Sequence, residues 1–146
     1  MSYKGKYRVK NKDKYIGNIN NVRYLSSWEL AYMKWCDNCT RVLQWGSEEI
    51  IIPYRCPTDN KVHRYYTDFY VRVVNEQTGV ITENIIEIKP FKQTKAPRQG
   101  KNRRAYVNKV NTYVKNQAKW TAADTYAKSK GMNFIVLTEK DLFKAR

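Results

Sequence analysis

The stretches Arg64-Tyr-Tyr-Thr-Asp68-Phe-Tyr-Val-Arg72 and Ile85-Ile-Glu87-Ile-Lys89-Pro90 decide the fold of this chain. Both are rich in β-branched and aromatic residues and are bounded by polar turn signals, a pattern that predicts two β-strands. Side chains alternate along a strand, so Glu87 and Lys89 face one way while the neighbouring isoleucines face the other. The second strand is therefore predicted to have one apolar face and one charged face.

The segment between the two strands contains the turn cluster Asn75-Glu-Gln-Thr-Gly79. It is short enough to join the strands as an antiparallel hairpin, which would bring Asp68 beside Glu87 on the face that carries Lys89. Two carboxylates can hold Mg²⁺, which retains several waters and takes phosphate oxygens as further ligands. The patch therefore indicates metal-assisted phosphodiester hydrolysis, with the lysine orienting a water or stabilising charge on the phosphate. An ordinary half-exposed hairpin with a cross-strand ion pair remains open at this point.

The composition points to a polyanionic partner. Among 146 residues, 28 Lys and Arg stand against 13 Asp and Glu, a formal charge of +15. This exceeds what solubility needs and makes nucleic acid the first candidate for the partner, ahead of a membrane surface. No run of about 18 apolar residues could span a bilayer, and the polar N-terminus lacks the apolar segment of a secretory signal, so no membrane is expected. The length favours one domain, at residues 25–146, preceded by a basic arm at residues 1–24.

The richest basic segment follows Pro90 and continues into a predicted helix without one acid. A solvated loop would normally mix both signs of charge, so this composition favours contact with phosphate. The predicted DNA-binding residues are Lys92, Lys95, Arg98, Lys101, Arg103, Arg104 and, further along the helix, Lys119.

The three cysteines allow a second interpretation. Cys36-Asp-Asn-Cys39 with Cys56 and His63 could complete a tetrahedral zinc site, because two or three thiolates with one imidazole are common zinc ligands. Buried, inert thiols are the default for an unsecreted chain.

The remaining elements predict a mixed α/β protein in which a long helix crosses over to a parallel strand. A helix starts after Ser26, with Glu29 three residues later as a capping box. A second strand ends at Pro53. The predicted order is a helix at 25–35, strands at 42–45 and 49–54, the two strands quoted above, a helix at 103–130, a strand at 133–137 and a helical turn at 139–144.

Several motifs in this order resemble the PD-(D/E)XK nuclease superfamily, whose signature is an acid followed about twenty residues later by E-x-K; Thr67 stands where proline is usual. More narrowly they resemble the TnsA-type transposon end-cutting nucleases, and they look closer still to the head completion nucleases of T4-like bacteriophages. The motifs are Ser27-Trp-Glu-Leu30, Ile52-Pro-Tyr54, Arg64-Tyr-Tyr-Thr-Asp-Phe69, Ile86-Glu-Ile-Lys-Pro90, Lys119-Trp-Thr-Ala-Ala123 and Phe134-Ile-Val-Leu-Thr-Glu139.

The resemblance implies a restriction-endonuclease-like core with a mixed central sheet flanked by helices. It implies an endonuclease that uses Mg²⁺, for which Mn²⁺ can substitute, on packaged or residual DNA in late phage head assembly before tail joining. Its partners would be portal or head proteins in the host cytoplasm or in the virion, with the enzyme a monomer or homodimer. A non-catalytic basic DNA-binding module and a zinc-stabilised structural virion protein remain the alternatives.

Carried over to this chain, the resemblance also implies residue roles. Glu29, Asp68 and Glu87 would be catalytic acids that ligate the metal, joined by the carbonyl of Ile88. Lys89 would serve the attacking water or the transition state. Gln117 and Lys119 would be accessory polar residues on the long helix.

Overall fold

A computed structural model describes residues 3–142, which form a mixed α/β unit around a four-stranded sheet. The helices are α1 (Ser27–Asn38), α2 (Arg103–Ser129) and α3 (Glu139–Leu142), with 3₁₀ turns at Lys12–Lys14 and Phe91–Thr94. The strands are β1 (Gly5–Lys6), β2 (Arg23–Tyr24), β3 (Val42–Ser47), β4 (Ile51–Cys56), β5 (Lys61–Tyr66), β6 (Phe69–Val74), β7 (Ile81–Ile88) and β8 (Asn133–Leu137). The predicted mixed α/β class is confirmed.

The central sheet has the strand order β3-β6-β7-β8. β6 and β7 form the predicted antiparallel hairpin, with Phe69 opposite Ile86, and its turn is closed by a 2.8 Å bond from Asn75 N to Val80 O. β8 runs parallel to β7 after the α2 crossover, as predicted. The carboxyl ends of β7 and β8 therefore lie together at one edge of the sheet.

The first quoted stretch is not one strand, contrary to the prediction. The chain ends β5 at Tyr66, in a separate two-stranded ribbon with β4, and enters the central sheet only at Phe69. Thr67 forms the corner: it is fully buried, and its amide and hydroxyl both donate to Ile50 O, at 3.1 and 2.8 Å. Strand propensity is high on both sides of the corner, so it cannot reveal the change of sheet. Asp68 consequently lies where the two sheets meet.

The prediction that Pro53 ends the second strand was also wrong. Pro53 lies inside β4, opposite Arg64. In a two-stranded ribbon each strand has one unpaired edge, so a residue without an amide proton is tolerated there.

Two hydrophobic cores lie on opposite faces of the central sheet. One packs α1 against the sheet and centres on Trp45 and Phe69. The other packs α2 and the β4–β5 ribbon against the opposite face, around Ile85 and the small Ala123 and Ala127. The face of β7 that carries Glu87 was predicted to be charged, yet it is covered by this second core.

The N-terminal segment shares the first core. Val9 and Val22 are buried in it. Asp37, on the last turn of α1, is fully buried and accepts bonds from Tyr7 OH at 2.6 Å, Lys10 N at 2.8 Å and Asn11 N at 2.9 Å. Residues 3–24 are thus packed against the domain, and the separate functional role of the basic arm stays a prediction.

The long helix has the predicted ends. Asn102 caps it by accepting a 3.1 Å bond from Ala105 N, and Gly131 follows it with φ of +72°, a backbone region that glycine adopts without strain. α3 begins at Glu139 as predicted, and the rest of that predicted turn lies outside the described residues. No helix within residues 3–142 has the length and apolar character needed to cross a bilayer.

Candidate active site

The corner between the two sheets brings Asp68 against the end of β7. Asp68 precedes β6, keeps partial solvent exposure, and its Oδ2 accepts a 2.8 Å bond from Ile88 N. Because Ile88 directly follows Glu87, this bond confirms the prediction that Asp68 lies beside Glu87.

Glu87 is the more buried acid, with 5% of its surface exposed. Its Oε1 accepts a 2.5 Å bond from Tyr65 OH, and its Oε2 lies 3.3 Å from Lys89 Nζ. Glu87 and Lys89 thus share a face of the strand, as predicted. The backbone of Lys89 is held by a 2.9 Å bond from its amide to Leu137 O on β8. Glu87 thus lies within β7, and Lys89 directly follows the strand, with its backbone still bonded to β8.

Tyr65 was not predicted as a site residue. It is buried, and burial together with the charge of Glu87 raises its pKa far above the usual range, so that the hydroxyl keeps its proton and acts as a donor. Lys119 Nζ lies 5.6 Å from the centre of its ring, which places the predicted Lys119 close to this network. From the sequence, side-chain alternation along β5 could indicate that Tyr65 faces the protein interior. It could not indicate the contact with Glu87, because that contact depends on the corner at Thr67.

The acids raise the cost of one another's ionisation. Burial, followed by the charge of Glu87, raises the pKa of Asp68 well above its usual range, against the opposing effects of the Ile88 amide and Lys89. Burial also raises the pKa of Glu29, and the charges of Glu48 and Glu87 add to it. A divalent cation would remove this repulsion, so the donor set fits the metal that the sequence predicts.

Glu29 takes part in the predicted N-terminal cap of α1. Its amide donates to Ser26 Oγ at 3.1 Å, and its Oε1 accepts from Leu25 N at 3.1 Å, so its side chain closes the cap at Leu25 rather than at Ser26. The charge of Glu87 is among the causes that raise the pKa of Glu29, so the two carboxylates repel each other. The predicted metal ligation by Glu29 stays a prediction.

Glu48 is a further acid that the sequence did not single out. It follows β3 with φ of +57°, an uncommon conformation for a residue other than glycine. Its amide donates to Asp68 O at 3.1 Å, so it flanks Asp68 on the side opposite Ile88. The only signal in the sequence is a pair of glutamates between two strands.

The predicted four-residue zinc site does not form within residues 3–142. Cys36 is buried in the core beneath α1, whereas Cys56 is buried in the core beneath α2. In this part of the chain, Cys56, Asp59 and His63 are the one group of three metal-binding side chains whose ligand atoms all lie within 4.8 Å of one another. Glu29, Asp68 and Glu87 do not approach one another that closely. A metal held there would take waters among its ligands beside the carboxylates.

A basic cleft of about 440 Å³ lies between the segment after Pro90 and α2. It is lined by the predicted Lys92, Lys95 and Arg98, together with Lys109, Tyr113 and Asn116. Asn116 is nearly one helical turn from Lys119, so the cleft leads along α2 toward Tyr65. The predicted Lys101, Arg103 and Arg104 are exposed at the start of α2.

The sequence profile of the TnsA-like endonuclease N-terminal domain matches residues 39–139, a range that contains Asp68, Glu87 and Lys89 but not Glu29. The chain therefore belongs to the TnsA-like endonuclease family, and this family indicates a nuclease, a hydrolase that acts on DNA. The chain is also 35% identical, over 147 aligned positions, to the head completion nuclease of Enterobacteria phage T4. That alignment covers 97% of this chain and 95% of the phage T4 protein.

Proposed function

We propose that this protein is a Mg²⁺-dependent endonuclease that hydrolyses phosphodiester bonds in DNA, with Mn²⁺ able to replace Mg²⁺. The observation that carries the proposal is the convergence of Asp68, Glu87 and Lys89 at one sheet corner, where burial and then the charge of Glu87 raise the pKa of Asp68. Two carboxylates that repel each other beside a lysine destabilise the fold when no cation is bound. They are suited to bind a divalent cation that also takes phosphate oxygens as ligands.

Asp68 and Glu87 would hold the metal, with Glu29 and the carbonyl of Ile88 as further ligands. When bound, such a metal would lower the pKa of a coordinated water and neutralise charge on the phosphate. Tyr65 acts as a positioning residue, because its hydrogen bond fixes one oxygen of Glu87 and leaves the other beside Lys89. The carboxylate is thereby held in one orientation.

Lys89 is placed to serve the reaction. Its side chain is 24% exposed, so the ammonium can contact both Glu87 and an incoming phosphate. It can orient the attacking water or stabilise the negative charge that grows on the phosphate oxygens.

DNA would approach through the basic cleft. Its lysines and Arg98 can neutralise backbone phosphates without reading bases, and Lys119 continues the positive path to the site. Arg103 and Arg104 lie in the first turn of α2, where no acid offsets the positive end of the helix dipole. Two cations at that position are unfavourable unless a polyanion lies nearby.

The name of the phage T4 relative supports a biological setting. We infer that the chain acts late in phage head completion, on packaged or residual DNA before tail joining. It would work in the cytoplasm of the infected host beside portal or head proteins, and it could stay with the virion.

The test is cleavage of supercoiled and linear DNA with and without Mg²⁺, using wild type, Lys89→Ala and a cleft variant carrying Lys92→Ala, Lys95→Ala and Arg98→Ala. We expect Lys89→Ala to bind DNA normally and lose cleavage. The cleft variant should bind all sequences more weakly, and the slope of its salt dependence should fall by up to about 0.9 for each phosphate that it no longer neutralises. Metal-independent cleavage, or normal cleavage by Lys89→Ala, would overturn the proposal. Binding by wild type without any cleavage would favour the non-catalytic alternative.

A further inference from the structure

We propose a second metal site, distinct from the nuclease centre, in which Cys56, Asp59 and His63 bind Zn²⁺ at the tip of the β4–β5 ribbon. The three ligand atoms already lie within 4.8 Å of one another. Around a tetrahedral zinc such atoms are separated by roughly 3.3 to 3.8 Å, given bonds of about 2.0 to 2.3 Å. Small side-chain rotations are enough to close the site.

The ribbon register places these residues together. Cys56 pairs with Lys61 and Tyr54 pairs with His63, so Cys56 and His63 lie on the same face of the ribbon, diagonally across the two strands. The face is confirmed by the 5.9 Å distance between the rings of Tyr54 and His63. Asp59 lies in the turn between the strands, and its Oδ2 is 2.7 Å from His63 Nε2.

The turn is braced before any metal binds. Asn60 N donates to Cys56 O at 2.7 Å, and Arg55 NH1 donates to Asn60 O at 2.8 Å. The second oxygen of Asp59 accepts from Lys61 N at 3.0 Å, which fixes the carboxylate in the way that outer hydrogen bonds orient metal ligands. Little ordering would remain for zinc to impose.

The three ligand side chains differ in their exposure to solvent. The side chains of His63 and Asp59 are 42% and 40% exposed, so both can rotate to admit an ion. Cys56 is buried, and its Sγ lies 3.1 Å from the hydroxyl of the exposed Thr58. A rotation of the Thr58 side chain would open the sulfur to the ion.

The ligand types select the metal. One thiolate, one imidazole and one carboxylate match Zn²⁺, whereas Mg²⁺ and Ca²⁺ prefer oxygen ligands only. With three protein ligands, a solvent molecule would take the fourth position. Tyr65, which donates to Glu87, lies two residues after His63 on the same face of β5. Zinc bound to His63 would therefore stabilise the start of the strand that carries Tyr65.

Zinc content after dialysis of the full chain, together with the visible and near-ultraviolet spectrum of the Co²⁺-loaded protein, tests this site. We expect one zinc per chain and a thiolate-to-cobalt band, both lost in Cys56→Ser and in His63→Ala. Two controls should keep them: Cys39→Ser, which removes a half-buried thiol outside the cluster, and Asp68→Asn, which removes an acid of the nuclease centre. Zinc at about 100 times its Kd should raise Tm by roughly 5 to 10 °C in wild type but not in His63→Ala.

The exposed position of His63 keeps the test valid if Cys56→Ser folds poorly. Zinc that survives in His63→Ala, or that disappears in Asp68→Asn, would overturn the proposal, as would a wild-type chain that retains no zinc. None of these results depends on DNA cleavage.

Discussion

Asp37 and Asp68 are aspartates in two corners of the same molecule, and burial opposes the ionisation of both. At Asp37 burial is outweighed by hydrogen bonds from Tyr7, Lys10 and Asn11, which hold the pKa of that carboxyl below its ordinary value. At Asp68 burial is reinforced by Glu87, and the amide of Ile88 does not compensate, so that pKa is raised. The number of hydrogen-bond donors therefore separates a carboxylate whose ionised form the fold stabilises from one whose ionised form is left under-compensated.

The sharpest test of this contrast is Asp68→Asn. The amide oxygen can still accept from Ile88 N, but the charge is removed, so we expect cleavage to fall by at least about 1,000-fold because several kcal/mol of metal-dependent stabilisation disappear. The pKa of Asp68 is raised on folding, so ionisation at neutral pH opposes folding. In metal-free buffer the variant should therefore have a Tm a few degrees above wild type.

Plasmid cleavage and thermal melting with and without Mg²⁺ check this pair of effects. Mg²⁺ should raise the Tm of wild type more than that of the variant. A metal-free Tm below wild type would show that Asp68 is an ordinary structural carboxylate like Asp37.

Glu29→Gln tests an acid that shares a feature with each of these aspartates: it makes a structural hydrogen bond, as Asp37 does, and its pKa is raised, as that of Asp68 is. Glutamine keeps the acceptor for Leu25 N and discards the charge. We expect Tm to stay within a few degrees of wild type. Mg²⁺-dependent cleavage should fall by about 100-fold or more if the carboxylate contributes to the metal site. Near-normal cleavage would show that Glu29 serves only as part of the helix cap.

Tyr65→Phe tests whether the donor to Glu87 tunes the site. If Glu87 ligates the metal as proposed, removal of the hydrogen bond that orients it should lower cleavage by about 10- to 100-fold and raise the Mg²⁺ concentration needed for half-maximal rate. Tyr70→Phe is the matched control, because Tyr70 donates to Glu83 on the same sheet, away from the site. Equal Mg²⁺ requirements in the two variants would argue against a positioning role for Tyr65.

Asp37→Asn should leave the chemistry intact and weaken the fold. The new amide group faces donors from Tyr7, Lys10 and Asn11, at a cost of about 3 kcal/mol, which lowers Tm by roughly 10 °C. Cleavage measured well below Tm should match wild type.

The same residue predicts a pH dependence. Since its pKa is lowered on folding from an ordinary value of 3.8, ionised Asp37 stabilises the fold above that pH, and this contribution disappears as the pH falls through the lowered value. The dependence of Tm on pH below about pH 5 should therefore be steeper in wild type than in Asp37→Asn. Parallel pH profiles would contradict this origin of the acid sensitivity.

The sequence predicted the hairpin, the crossover helix and the convergence of Asp68 with Glu87 and Lys89. These features rest on local signals: strand propensity, the turn at residues 75–79, side-chain alternation and the glycine after α2. The resemblance to TnsA-type nucleases added the expected residue roles.

The corner at Thr67 could not be predicted, because it depends on a long-range contact with Ile50 and not on any break in propensity. Tyr65 and Glu48 were missed for the same reason: each reaches the site only through that corner or the neighbouring strand. The prediction of a four-residue zinc site was wrong because spacing along the chain does not show that Cys36 and Cys56 belong to different cores.

The bond from Lys89 N to Leu137 O has a consequence for synthesis on the ribosome. Lys89 is translated well before the strand that anchors it, because all of α2 comes between them, and β8 lies almost at the end of the described chain. A nascent chain thus carries its acids and lysine without the pairing that holds them in place. Full nuclease activity would then arise only after almost all of the chain has left the ribosome, so truncated translation products would pose little danger to the DNA around them.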